Sequence, residues 1–301
     1  MTSFIYLVKR NTKLFFKDKG TFFTSLIAPL ILLLLFVTFL GNVYRDSFHS
    51  CIPDTIEVPE TIIEGFVGGW LLSSLLAVCC VTIAFCANMI MVQDKVTGAR
   101  GDLTIAPVKA SVLGLSYYIS TAVVTGIICY ITTGVGLLYL RQVGWYLSAA
   151  DVGYIFLDVT LIVLFGTALS SVVCFFLKSQ GGISAVGTIV SACYGFLCGA
   201  YMPISQFSEG VQRFISFLPG TYGTGLLHNH FMGGVLKKME AEYFPKEVVD
   251  AMREGFDNYL YFMDNRVEIN QMYLILCITV LVRIGAYVLM NLSARAKHGR
   301  V

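Results

Sequence analysis

The sequence predicts an all-α membrane protein with six transmembrane helices. Three observations carry that prediction. Of 301 residues, 56% are hydrophobic and only 13% charged, with a mean hydropathy of +0.74, whereas a water-soluble domain carries about a quarter charged residues. Six apolar runs, 22–43, 65–92, 112–140, 154–177, 182–203 and 271–292, each approach or exceed the roughly 20 residues that a helix needs to cross a bilayer core. Lys and Arg collect in alternate connecting segments, the pattern that sets membrane orientation.

The elements follow in order. Residues 1–21 form an amphipathic elbow helix: Phe4, Leu7, Val8, Leu14 and Phe15 share a face, and basic residues occupy much of the rest. Its five positive charges precede the first apolar run, as in a signal peptide. That run outlasts the usual h-region and no small-residue cleavage site follows, so it is expected to be a retained span. The segment 93–109 is polar and short, lying between the second and third runs. Residues 204–234 are apolar and rich in small residues, interrupted at Pro219-Gly220 and Gly233-Gly234. They suit two re-entrant half-helices, a form that membranes tolerate only when it is buried in protein or lines a cavity. Residues 235–270 are polar and helix-prone and read as a cap that Pro245 divides into two helices.

Charge orients the chain. Lys9, Arg10, Lys13, Lys17, Lys19, Lys95, Arg100, Lys109, Lys178, Arg295, Lys297 and Arg300 fall on one side of a six-span topology. The opposite short loops hold Arg45 and Arg141 among Asp46, Asp54, Glu57, Glu60, Glu64 and Asp151. Both termini are therefore expected in the cytoplasm of a multi-pass cell-membrane protein, with the cap outside. A net charge of +2 offers nothing to a nucleic acid. Of nine cysteines, Cys51 alone lies in a polar loop, so neither a disulfide framework nor a zinc spacing is present. His228-Asn229-His230 lacks a neighbouring Cys or carboxylate, and no metal or cofactor is expected. Asp158 and Arg283 are ionisable groups inside apolar runs, either an intramembrane charge site or a pair. The simpler expectation for Asp158 is a place at the membrane interface, near the outer end of its span.

No G-x-x-x-x-G-K-[ST] loop occurs, so the chain holds no phosphate cradle and is not expected to be an ATPase itself. Three regions together resemble the ABC-2 type permeases, membrane subunits of type V ABC exporters of the drug-resistance kind. They are Phe16–Phe23 with Ala28-Pro29-Leu30; Asp94, Lys95, Gly98, Leu103, Pro107 and Val108 in the 93–109 loop; and Gly199–Pro203 with Phe217–Tyr222. After Gly98 the family usually carries Thr and then an acidic residue, where this chain has Ala99 and Gly101, with Asp102 displaced by one. The resemblance implies that the 93–109 loop is a cytoplasmic coupling helix, with Asp94, Lys95, Gly98, Leu103 and Pro107 as ATPase-coupling residues. It implies Gly199, Pro203, Pro219 and Tyr222 as a re-entrant gate segment. It also implies a separate ABC ATPase subunit that binds ATP and Mg, a second permease (identical or similar) and contact with membrane lipid.

The function expected is ATP-driven export of an amphipathic drug, peptide or lipid-like compound. The alternative within the family is export of a polysaccharide or lipid-linked glycan. An ATP-independent channel or carrier would not need the coupling pattern. A membrane-embedded enzyme would need converging polar groups, and the spans offer only Asp158 and Arg283.

Overall fold

A computed structural model describes residues 2–50, 58–105 and 108–298. Pro107 lies outside the described residues, as do Cys51, Asp54, Glu57 and Arg300. The chain opens with α1 (Thr2–Lys17), which meets α2 (Lys19–Leu35) at 74°. Asp18 makes the corner: its carboxylate accepts the Thr21 N–H at 3.2 Å and hydroxyl at 2.7 Å, satisfying a donor that the first turn of α2 leaves free. Beyond α2 a π turn (Phe36–Leu40) leads directly into α3 (Gly41–Ser50), so the first apolar run continues as helix past its expected end.

The bundle is built around α4 (Glu60–Ala87), whose residues are buried almost throughout. A break at Asn88 separates it from α5 (Met89–Val96), which is followed by α6 (Ala99–Ile105). Then come α7 (Ala110–Val143), α8 (Ala149–Phe176) and α9 (Gln180–Leu197). Ser148 and Asp151 form a capping box that starts α8. Among the described residues four stretches, Glu60–Val96, Ala110–Val143, Ala149–Phe176 and Ile269–Ser293, are long and apolar enough to cross a membrane, and the bent pair α1–α2 raises the number to five. The run 182–203 is helical only through Leu197, where α9 ends.

After a single 3-10 turn (Ile204–Gln206), the expected re-entrant segment and cap become α10 (Glu209–Ser216), α11 (Pro219–Glu242) and α12 (Lys246–Gly255). A hairpin of β1 (Leu260–Phe262) and β2 (Asn265–Val267) pairs Leu260 with Val267, and α13 (Ile269–His298) closes the described chain. Two sequence expectations need correction. Gly233-Gly234 does not interrupt the backbone; α11 runs through it, and the missing side chain serves packing. A Cβ on Gly234 would lie 1.9 Å from the Tyr146 carbonyl oxygen, so only glycine lets α11 approach the α7–α8 connection. The cap, moreover, divides into helix on both sides of Pro245 as expected but is not helical throughout. Its first part continues α11, Pro245 starts α12, and the remainder is the hairpin.

Two apolar clusters hold these parts together. The larger joins α4, α7, α8, α11 and α13. The smaller lies at the N-terminal end of α4, where Phe66 meets Phe256 edge-on with ring centroids 4.8 Å apart and Trp70 meets Tyr44 at 4.2 Å. Since α4 rises about 1.5 Å per residue, roughly 30–35 Å separate Phe66 and Trp70 from α5.

Candidate functional site

The polar loop between the second and third apolar runs is resolved into α5, a turn and α6. Gly98 makes the turn at φ +81°, in the left-handed region that glycine occupies without a steric penalty, and it is exposed together with Thr97. Three charged residues of this loop, Asp94, Lys95 and Arg100, point into the protein, while Asp102 and Lys109 are exposed. Asp94 is buried and takes a bidentate guanidinium from Arg10, Nη1 to Oδ2 at 2.7 Å and Nη2 to Oδ1 at 2.9 Å. The Tyr117 hydroxyl donates to the same Oδ2 at 2.6 Å. One carboxylate thus ties α1, α5 and α7 with the fork geometry that makes Arg–carboxylate contacts both strong and directional.

Lys95 makes a different link. Its Nζ donates to the carbonyls of Phe175 at 2.7 Å, Cys174 at 3.0 Å and Leu177 at 3.4 Å. These carbonyls close the last turn of α8, where Cys174 also accepts the Leu177 N–H, at the end where a cation is favoured. Arg100 reaches α13, Nη2 to Asn291 Oδ1 at 3.0 Å. Leu103 is half-buried against the main core. What remains outward is the tip: Val96, Thr97, Gly98, Gly101 and Asp102 are exposed, with Val96 at 49% an apolar side chain in the open.

Of the positions singled out here from the sequence, Asp94, Lys95 and Leu103 therefore face the permease, and Gly98 faces out. Sequence reasoning missed Arg10, Tyr117 and Asn291 as their counterparts. The one available signal was a carboxylate in a short loop beside a strongly basic amphipathic helix. The elbow itself turns Leu7, Asn11 and Phe15 inward at a spacing of four residues, while Leu14, expected on that face, is 38% exposed.

Asp158 lies inside the bundle. It is fully buried on α8, its Oδ2 2.6 Å from His230 Nδ1 on α11 and its Oδ1 accepting the Tyr273 hydroxyl of α13 at 2.5 Å. Tyr154 stacks on the His230 ring at 5.0 Å. Three helices share this carboxylate because an unpaired one at that depth is costly. Arg283 does not pair with it. Its guanidinium lies 4.7 Å from the Phe165 ring centroid, and among the described residues its Nη1 has no hydrogen-bond partner. His228 and His230 also diverge: His228 stacks on Trp70 and contacts Ser74 Oγ at 3.2 Å.

Gly199, Pro203, Pro219 and Tyr222 sit at the corners between α9 and α11. Gly199 turns at φ +75°, and a Cβ there would lie 2.8 Å from Asp257 Oδ2. Pro203 caps the 3-10 turn, and Pro219 opens α11 at a position where its missing N–H costs nothing. Tyr222 and Thr221 donate back to the Ser216 and Ile215 carbonyls at 2.6 and 3.0 Å, closing the free end of α10. Asp257 holds this corner to the cap by accepting the Ile204 N–H at 2.7 Å, and burial pushes its carboxyl up to about 7.

A search of curated proteins returned no match. The model of one family, described as ABC-2 type transporter, matches residues 2–231. That match spans α1, the inward-clamped 93–105 segment and the bundle through most of α11, and the chain belongs to the ABC-2 type transporter family as a permease of an ABC transporter.

Proposed function

We propose that this chain is the membrane half of an ATP-driven exporter, and that 93–109 is its coupling element. Family membership implies an ABC ATPase partner. The observation that carries the reading is the division of the loop into clamped and open parts. Asp94, Lys95 and Arg100 grip α1, α7, α8 and α13, while Val96, Thr97, Gly98 and Asp102 stay on the surface. An ATPase docked on that tip pushes on a short rigid piece, and the clamps pass its displacement to four helices. Rigid packed elements transmit such movement because they repack between discrete arrangements rather than deform smoothly.

In this reading the six apolar runs are six crossings: α2 with its π turn and α3, α4 with α5, α7, α8, α9 and α13. Both termini and the loop are cytoplasmic, and the cap is outside. Two permeases pair, and an amphipathic drug, peptide or lipid-like cargo leaves between them beneath the α10–α11 corner. ATP and Mg bind on the ATPase.

The test is reconstitution. Purified alone, the chain should hydrolyse no ATP; co-expressed with its ATPase, it should retain that subunit through affinity purification and drive ATP-dependent efflux from cells or vesicles. Val96→Glu and Gly98→Glu should abolish ATPase retention without altering membrane insertion. Undiminished retention and transport in both variants would sink the docking assignment.

A further inference from the structure

At the cap end, α10, α12 and the β1–β2 hairpin enclose a cavity of about 590 Å³ beside the start of α11. That volume is within the range of small-molecule sites. Its floor is apolar and firm: Ile215, Tyr222 and Leu260 are all buried. Its walls carry Glu209, Glu254, Asp257 and Asp264 against one cation, Arg213. The nearby arginines are engaged elsewhere. Arg253 pairs with Glu240 at 2.9 Å and Asp250 at 3.0 Å, and Arg266 lies 3.5 Å over the Tyr259 ring. Among the described residues Glu209 and Asp264 make no ion pair, whereas Glu254 accepts the Tyr261 hydroxyl at 2.6 Å.

Asp257 is the residue that gives this cavity a sign. It is 3% exposed, lines the cavity and accepts backbone N–H groups from Ile204 and Ser205. A carboxylate offers about four lone-pair sites, so two donors leave acceptor capacity unused. A buried carboxylate without a counter-charge is unfavourable, and a cation entering the cavity relieves that cost. The apolar floor and the rings of Tyr222 and Tyr261, with the Met263 thioether at the rim, favour a cation that carries apolar bulk.

We propose that this cavity binds small organic cations bearing an aromatic or branched alkyl group. The site shares no residue with the coupling loop and needs no ATPase to form, so its test is independent of the exporter reading. The probe is benzyltrimethylammonium, titrated into purified permease in phosphatidylcholine nanodiscs and followed by calorimetry and by the methyl resonance of Met263, which Met263→Leu assigns. The expected result is saturable binding, a shifted Met263 signal and no binding of toluenesulfonate. Glu209→Gln with Asp264→Asn, two exposed positions without ion pairs, should weaken affinity about three- to ten-fold. Unchanged affinity in that double variant, equal binding of the sulfonate, or a Met263 methyl unmoved at saturation would each overturn the proposal.

Discussion

The two ends of this bundle are held by opposite means. At the α5–α6 end, charged side chains reach across the chain: Arg10 to Asp94, Lys95 to the end of α8, Arg100 to Asn291. At the cap end, α3, α4 and α12 meet through tilted and edge-on rings of Tyr44, Phe48, Phe66, Trp70 and Phe256. A cluster of interlocked rings fills a volume with many contacts, so it makes a block. A bidentate ion pair fixes both distance and angle, so it makes a linkage. A device that must be pushed at one end and hold its shape at the other is well served by this division.

The contrast predicts separable losses. The largest stability effect belongs to the block: Phe66→Ala or Phe256→Ala should cost about 3–5 kcal/mol, read as a lowered melting temperature in detergent, with ATPase retention kept in the folded fraction. Equal loss of ATPase retention would mean that the two ends are not distinct. Next is the linkage. Asp94→Ala strands the Tyr117 hydroxyl and the Arg10 guanidinium, and should cost about 2–3 kcal/mol, towards the lower figure because Arg10 is one-third exposed. Here transport should fail while the ATPase still binds. A thermodynamic cycle of Arg10→Ala and Asp94→Ala should be non-additive by about 1–2 kcal/mol, and additivity would dissolve the clamp.

A pH profile tests the corner at Asp257. Its carboxyl titrates at about 7 in the folded chain against 3.8 for the free group. Between those values the folded state holds a proton that the unfolded state has lost. Stability should therefore fall as pH rises from about 4 to about 7, by about 1.4 kcal/mol per unit, and level off above. The surrounding Glu209, Arg213, Glu254 and Asp264, the neighbouring Tyr44, and Tyr222, Tyr259 and Tyr261 remain in both states of the comparison. Asp257→Asn tolerates the local φ of +58° and should flatten the slope; a persistent slope would assign it to another group. The smallest effect is expected at Lys95→Met, about 1 kcal/mol, seen as faster hydrogen exchange at Cys174–Leu177 and nowhere in the cap.

Much of the architecture was legible in the sequence. The apolar runs at 65–92, 112–140, 154–177 and 271–292 became α4, α7, α8 and α13, because nothing but a continuous helix satisfies the backbone of so long an apolar stretch in lipid. Pro219 and Pro245 opened helices as proline does. Gly233-Gly234 misled, since glycine signals both a break and a close approach, and only the position of Tyr146 distinguishes them. The partners of Asp158 were hidden for a related reason: His230 and Tyr273 lie 72 and 115 residues away and satisfy it inside the bundle.

By itself the sequence determined that this chain lives in a membrane, that it carries no phosphate loop, and that its polar 93–109 segment sits between two long apolar helices. These follow from local composition and periodicity, which short windows contain in full. Only the tertiary structure decided which way that segment's charges point. Asp94, Lys95 and Arg100 look like a solvated loop in one dimension, and their partners at Arg10, the end of α8 and Asn291 are brought to them by helix packing over as many as 191 residues. A hydrogen bond is decided by position within a fraction of an ångström, and that information belongs to the fold.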